Sequence, residues 1–372
     1  MQRFLLYLFA IIFCFAVSVF IAIWWTAPNQ KLRLPQKSNS QSPINQNIAL
    51  AELFSIRVSG KEGCIDKNAN VIIQPKFDNI SCSADELIPF EENNKWGFIN
   101  RKGEVIFEPQ FNHAGNFREG LAVVCLNLKC GYINQNGNLA IELKFDFAED
   151  FSEGLARVGV EAFDLLGNPF YRLRNPKGAF INKEGNIIIE PQFDNADNFS
   201  DGLARITVGD KLGYIDQMGK FVIGLQGKDF GLFHEGFATI LENHKLGYVD
   251  KTGKAVIEPQ FKQAGEFSEG LACVMVENGK YGFIDKSGKI VIEPQWESVG
   301  SFAEGLAAIR IGRKSGYIDR TGKIAIPVEF GSADSFKSGL AMISFEDMNT
   351  TYSETKWGYI DKTGKVIWNP TN

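Results

Sequence analysis

The chain has 372 residues, enough for two or three ordinary domains, and its 44% hydrophobic and 22% charged residues are those of a globular protein. A formal net charge of −5 excludes the strongly basic surface that nucleic-acid binding requires, so no nucleic-acid partner is expected. Two counts are high: 31 Phe, which suit half-buried strands, and 37 Gly, which supply turns.

The first element in chain order is apolar. Phe4 to Trp25 is a run of 22 residues without a charge, long enough as a helix to cross the hydrocarbon core of a bilayer. Arg3 precedes it, and Trp24 and Trp25 stand where interfacial aromatics are expected. A cleaved signal peptide is the rival reading. No small-x-small cleavage site precedes Pro28, and Cys14 follows the bulky Phe13, which disfavours lipid attachment. The expectation is an uncleaved transmembrane anchor, with membrane contact through residues 4–25. Arg3 on one side and Lys31, Arg33 and Lys37 on the other leave the positive-inside rule undecided. The closeness of the segment to Met1 favours export of the rest of the chain. The predicted organisation is an anchor at residues 1–25, a polar stalk at 26–50 rich in Gln, Asn, Ser and Pro, and a repeat array at 51–372.

The array is read from self-similarity. A glycine, an aromatic residue, Ile and Asp or Asn recur at Gly63, Gly97, Gly131, Ala179, Gly213, Gly247, Gly282, Gly316 and Gly358, with intervals of 34, 34, 48, 34, 34, 35, 34 and 42 residues. Copies 1 and 4 depart, with Cys64 for the aromatic and Ala179 for the glycine. Six residues after eight of the nine anchors comes a turn glycine such as Gly253, copy 1 having Ala69; twelve after comes Pro in six copies, as at Pro259. A pinning phenylalanine stands twenty after, as at Phe267, followed by a Glu-Gly-Leu-Ala group such as Glu269–Ala272. In copy 6, Leu246–Asp250 reads as a strand, Lys251-Thr252-Gly253 as a tight turn, and Ala255–Ile257 as the returning strand, ended by Pro259. Gln260–Gly270 reads as an irregular crossing and Leu271–Glu277 as a third strand. Each unit is thus predicted to be a three-stranded antiparallel meander, too small to bury its own apolar face, so neighbours must stack.

These motifs resemble the WG-repeat family of bacterial proteins. Lys95-Trp96-Gly97-Phe98-Ile99-Asn100 and Lys356-Trp357-Gly358-Tyr359-Ile360-Asp361 carry its full signature, and the other copies keep most of the frame without the Trp. The resemblance implies architecture rather than activity. The expected fold is all-β: nine tandem antiparallel repeats of about 34 residues stacked as an open solenoid-like array. The alternative is a closed β-propeller-like toroid. Nine whole units that need no terminal strand exchange favour the open form.

Departures from the period are the places to seek function. From the Leu-Ala group to the next anchor the spacing is ten residues in most copies, but 24 between Leu155 and Ala179 and 18 between Leu340 and Gly358. Both insertions enter the anchor strand and should project from the same edge. The first, Val160–Pro176, carries Phe163, Leu165, Leu166, Phe170, Tyr171, Arg172 and Arg174, a composition suited to recognition; the bland reading is a hairpin folded back over the array. The second, Glu346–Thr355, is polar.

No catalytic constellation is visible. His113, His234 and His244 occupy different repeat offsets, and no Cys-x-x-Cys pair, nucleophile elbow or phosphate-binding loop appears. No enzyme activity, metal or cofactor is expected. The repeated acids, Glu235 and Glu269 among them, would form stripes able to take Ca²⁺ or a cationic polymer, or else serve as turn formers interspersed with the repeated Lys. Cys125 and Cys130 flank a short hairpin turn. An exported array would oxidise them to a disulfide; otherwise they are buried thiols. Cys64 and Cys82 fall in the same first unit, which would leave Cys273 unpaired. The expected function is a non-catalytic, membrane-tethered surface for a protein or cell-envelope glycan partner. The alternatives are a structural spacer without a ligand, or an enzyme without supporting residues.

Overall fold

The structure, a computed structural model, describes residues 50–159, 177–226, 229–345 and 356–369. Among them lie nine antiparallel sheets and no helix. Sheet 1 has three strands, Phe54–Val58, Lys61–Ile65 and Val71–Phe77; sheets 2 to 9 have four each. Sheet 6 shows the plan: Asp229–Phe230, Phe237–Glu242, Lys245–Asp250 and Ala255–Phe261, paired in that order.

Local chemistry explains each element. Asp250 Oδ1 accepts hydrogen bonds from the N–H groups of Thr252 (2.9 Å) and Lys254 (3.1 Å), and Gly253 takes φ +81, so the third and fourth strands meet in an Asx-capped turn. The anchor glycine answers to the strand beside it. Between Leu246↔Phe261 and Tyr248↔Ile257 the register jumps, and the resulting bulge brings Pro259 N to within 2.6 Å of where a Gly247 Cβ would sit. Pro259 therefore does not end its strand, as the sequence suggested. It lies inside Ala255–Phe261, an edge strand in which a missing N–H costs no ladder bond.

The segment expected to be an irregular crossing is partly strand. Phe261 ends sheet 6, and one residue later Gln263–Ala264 opens sheet 7 by pairing with Leu271–Met275. Phe77 to Asn79, Phe111 to His113 and Phe330 to Ser332 make the same hand-over. One sequence repeat thus supplies the last two strands of one sheet and the first two of the next.

Three devices close a regular seam between neighbouring sheets. The anchor aromatic packs on the next sheet's pinning Phe: Tyr248 on Phe267 with ring centroids 4.9 Å apart, both buried, the Tyr hydroxyl donating to Gly265 O at 2.7 Å. Next, Glu269 and Gly270, both with positive φ, form the tight turn in which Ser268 and Leu271 exchange backbone hydrogen bonds. On that turn Gly270 N–H donates to Glu235 Oε2 of the preceding sheet (2.9 Å). Lys286 Nζ adds a bond to Glu235 O (3.2 Å) and an ion pair to its carboxylate (3.1 Å). The carboxylate-to-glycine bond recurs from Glu119, Glu153, Asp201, Glu269 and Glu304 to Gly154, Gly202, Gly236, Gly305 and Gly339. The repeated acids are turn residues that latch sheet to sheet.

The array is a closed ring, a nine-bladed β-propeller, and not the open stack that the unit count favoured. Phe54, Ile56 and Ile65 of sheet 1 share one core with Leu340 and Tyr359 of sheet 9. Phe54 and Tyr359 meet edge to face at 5.4 Å, the Tyr359 hydroxyl donates to Ser55 O at 2.8 Å, and Lys337 pairs with Glu52 at 2.7 Å. Among the described residues no strand is exchanged, and side-chain contacts join the last sheet to the first. The seams fix the angle between sheets, and nine such angles close the circle.

The latches carry a pH signature. Burial works against the Glu119 and Glu235 carboxylates, but hydrogen bonds from Lys183 with Gly154, and from Lys286 with Gly270, hold both below the ordinary value of 4.5. A folded pKa below the unfolded one gives stability that is complete above about 4.5 and is lost as pH falls through the folded value. A Glu119→Gln/Glu235→Gln variant should melt roughly 1–3 °C below the parent at pH 7, the pairs being partly screened. The gap should narrow as pH falls below about 4.5. Melting curves against pH check this; a gap that is absent at pH 7, or that does not narrow as the carboxylates protonate, refutes the latch.

Candidate functional site

Strand alternation gives the ring two faces. One carries the latch turns and the Asx-capped turns; the other carries the second-to-third-strand turns and the hand-overs. On this second face the short turns are held by side chains from the hand-over residues. Asn93 N–H donates to Asp78 Oδ2 (3.1 Å), Gly209 N–H to Asp194 Oδ2 (2.7 Å) and Gly312 N–H to Glu297 Oε2 (2.8 Å). In sheet 3 the same hairpin is crossed by a disulfide between Cys125 and Cys130, which face each other in register.

Two sheets break the pattern. In sheet 4 the hairpin stem is Gly159↔Gly178, and in sheet 9 it is Ser344↔Trp357. Both long connections leave from this face. Residues 160–176, with Phe163, Leu165, Leu166, Phe170, Tyr171, Arg172 and Arg174, lie outside the described residues, as do 346–355 and the apolar segment 4–25.

The stem in sheet 4 has unusual chemistry. Phe147 lies against Gly159, the Arg157 guanidinium sits 4.8 Å from the Phe147 ring centroid, and Arg157 crosses Gly178, where a Cβ would be 2.7 Å from Nε. Arg157 Nη1 donates to Glu149 Oε1 at 2.8 Å, while Arg157 Nε is buried without a partner. Sheet 5 repeats the pair: Arg205 Nε donates to Asp197 Oδ2 (2.7 Å) and Nη1 to Phe230 O (2.8 Å). In sheets 3, 6, 7 and 8 the two positions hold a glycine against a small or apolar residue, as with Gly231 by Thr239, Gly265 by Cys273 and Gly300 by Ala308, while sheets 2 and 9 have Ser81 by Pro89 and Asp334 by Met342. Acid–arginine pairs thus replace Gly-based packing in the sheet that bears the longer insertion and in its neighbour. The substitution is visible in the sequence, where Ser81, Glu149, Asp197 and Asp334 interrupt the glycines at the eighteenth residue after the anchor, but only Glu149 and Asp197 have an arginine eight residues on.

Burial raises the Glu149 carboxyl, Arg157 pulls it back, and Asp197 and Asp150 push it up again. Asp150 is raised by burial and eased by Arg118, 3.8 Å away, and by His113. This is a row of ion pairs, suited to polar contact. No three His, Cys, Asp or Glu among the described residues are placed to hold a metal ion. Arg157→Met should cost about 1–2 kcal/mol by stranding a half-buried Glu149, after discounting for screening. Adding Glu149→Gln should recover most of that loss, as a double-mutant cycle of denaturant midpoints would show. Additive losses would mean that the pair is uncoupled.

The model of the WG containing repeat matches residues 63–96, 96–130, 131–161, 179–211, 213–245, 247–281, 281–314 and 316–347. No curated protein matches the chain. Among solved structures it is similar to one described as the crystal structure of the eukaryotic initiation factor, at TM-score 0.56 and 12% identity, over 85% of this chain and 95% of that one. It is also similar to BamB from Moraxella catarrhalis (TM-score 0.40, 11% identity, 79% and 96% of the two chains). A further match is dihydro-heme d1 dehydrogenase NirN in complex with DHE (TM-score 0.44, 13% identity, 91% and 76%). At such identity the first likeness is one of fold alone. The eight repeat matches start at or beside the anchor residues and run through most of the ring, and the chain belongs to the WG containing repeat family.

Proposed function

We propose that the chain is a non-catalytic structural module, a rigid ring held at a membrane by residues 4–25 and standing outside the cytoplasm. The observation that supports it is the fate of the repeated charges. The carboxylates and cations of the latch face are engaged with one another and with backbone N–H and carbonyl groups at the seams, which suits a scaffold. A reporter that is active only outside the cytoplasm, fused after Asn372, should be active. An inactive fusion together with an active cytosolic reporter would reverse the topology.

A second reading is favoured by the stem in sheet 4. There a protein or cell-envelope glycan partner is gripped by the 160–176 hairpin, next to the Phe147–Arg157–Glu149 stack. Crosslinking in cells that carry either the intact chain or one lacking residues 160–176 separates the two. The scaffold reading expects the same adducts from both chains. An adduct lost with the hairpin, while the melting point is unchanged, would replace the scaffold reading with the binding one.

A further inference from the structure

We propose that the disulfide between Cys64 and Cys82 is a redox clasp: reduction loosens the packing of sheet 1 against sheet 2. The two cysteines fall within one sequence repeat, but the hand-over puts them in different sheets. Cys64 is on the second strand of sheet 1, the equivalent of the third strand elsewhere, and Cys82 follows the opening strand Asn79–Ile80 of sheet 2. Cys64 occupies the anchor-aromatic position, and Ser83 stands where the pinning phenylalanine belongs. At the next seam those positions are Phe98 and Phe117, 6.0 Å apart, and around the ring they are pairs such as Tyr132 and Phe151 or Phe283 and Phe302. The covalent bond therefore stands in for the anchor-to-pinning aromatic pair, beside a separate contact between Phe77 and Phe90.

Sheet 1 has less to fall back on than the others. It has three strands, and no hand-over joins it to sheet 9. Ser338 stands where a latch carboxylate would reach it from sheet 9, and Ala51 where its own carboxylate would reach sheet 2. The seam to sheet 2 keeps the bond from Arg101 Nη2 to Ala51 O (2.8 Å), one from Ile80 N–H to Glu62 Oε2 (2.9 Å), one from Ser55 Oγ to Ile80 O (3.4 Å), and an apolar core around Cys64 in which Phe77 meets Phe90 at 4.7 Å.

The chemistry is thiol–disulfide exchange with a dithiol. Cys64 is wholly buried and Cys82 half-buried, so a dithiol thiolate attacks Cys82 Sγ, the S–S bond breaks, and Cys64 leaves as a thiolate that takes a proton. The second thiol of the reagent then attacks its own sulfur in the mixed disulfide, releasing Cys82 as a thiol and the reagent as a cyclic disulfide. Two electrons and two protons pass from dithiol to protein.

Amide hydrogen exchange of the full chain with and without dithiothreitol tests this, with mass mapping to verify that both disulfides have opened. Amides of Phe54–Phe77 should exchange on the order of 30-fold faster or more after reduction, and those of sheets 5 to 8 at their former rates. A Cys125→Ser/Cys130→Ser variant should keep this response, because that disulfide lies within one hairpin. A Cys64→Phe/Ser83→Phe variant, which restores the aromatic pair, should lose it. Unchanged exchange in sheet 1 after verified reduction would overturn the proposal. So would equal acceleration in every sheet, or a response that disappears with Cys125 and Cys130.

Discussion

A sheet of four short strands has two faces and little side-chain mass with which to cover either. Tyr132, Tyr214, Tyr248 and Tyr317 are nevertheless almost fully buried, which is possible only because each lies under a phenylalanine from the next sheet. This cross-seam burial is the constraint that organises the molecule. It removes large apolar surfaces from water, and it does so only when two sheets are present in the right order. The glycine anchor, the bulged fourth strand and the latch turns all serve to bring those rings to that place.

The way the chain threads the sheets strengthens the same contacts. A repeat that begins on the third strand and ends on the second strand of the next sheet makes every regular seam covalent as well as packed. The exception lies between sheet 9 and sheet 1, where, among the described residues, side chains shut the ring. Sheet 1 departs from the frame on both flanks, and each flank has its own substitute: an edge-to-face aromatic pair on one side and a sulfur bond on the other.

Much of this is legible in the sequence because turns are written in residue types with few alternatives. Gly253 must supply positive φ, and Asp250 must cap, so the third and fourth strands can be placed to the residue. The family and the all-β class come from the same motifs. Closure is not legible, since whether stacked sheets form a line or a circle depends on the angle at each seam, which no single residue encodes. The strand Gln263–Ala264 is hidden because two residues carry no alternation. Pro259 misleads because a proline inside a strand is allowed once that strand is known to be an edge. The Arg157–Glu149 and Arg205–Asp197 pairs are visible as sequence, but their meaning depends on a glycine-lined space that only the paired strands create.

The mismatch between repeat and sheet bears on how such a ring can change size. Deleting one whole repeat, from the third strand of sheet 6 to the second strand of sheet 7, joins the first half of one sheet to the second half of its neighbour. The fusion has four strands, a full set of turns and no orphaned edge. Duplicating a repeat is equally clean in reverse. Gain or loss of a repeat therefore never leaves a half-built sheet, but a ring of another size closes only if the angle at every remaining seam shifts with it.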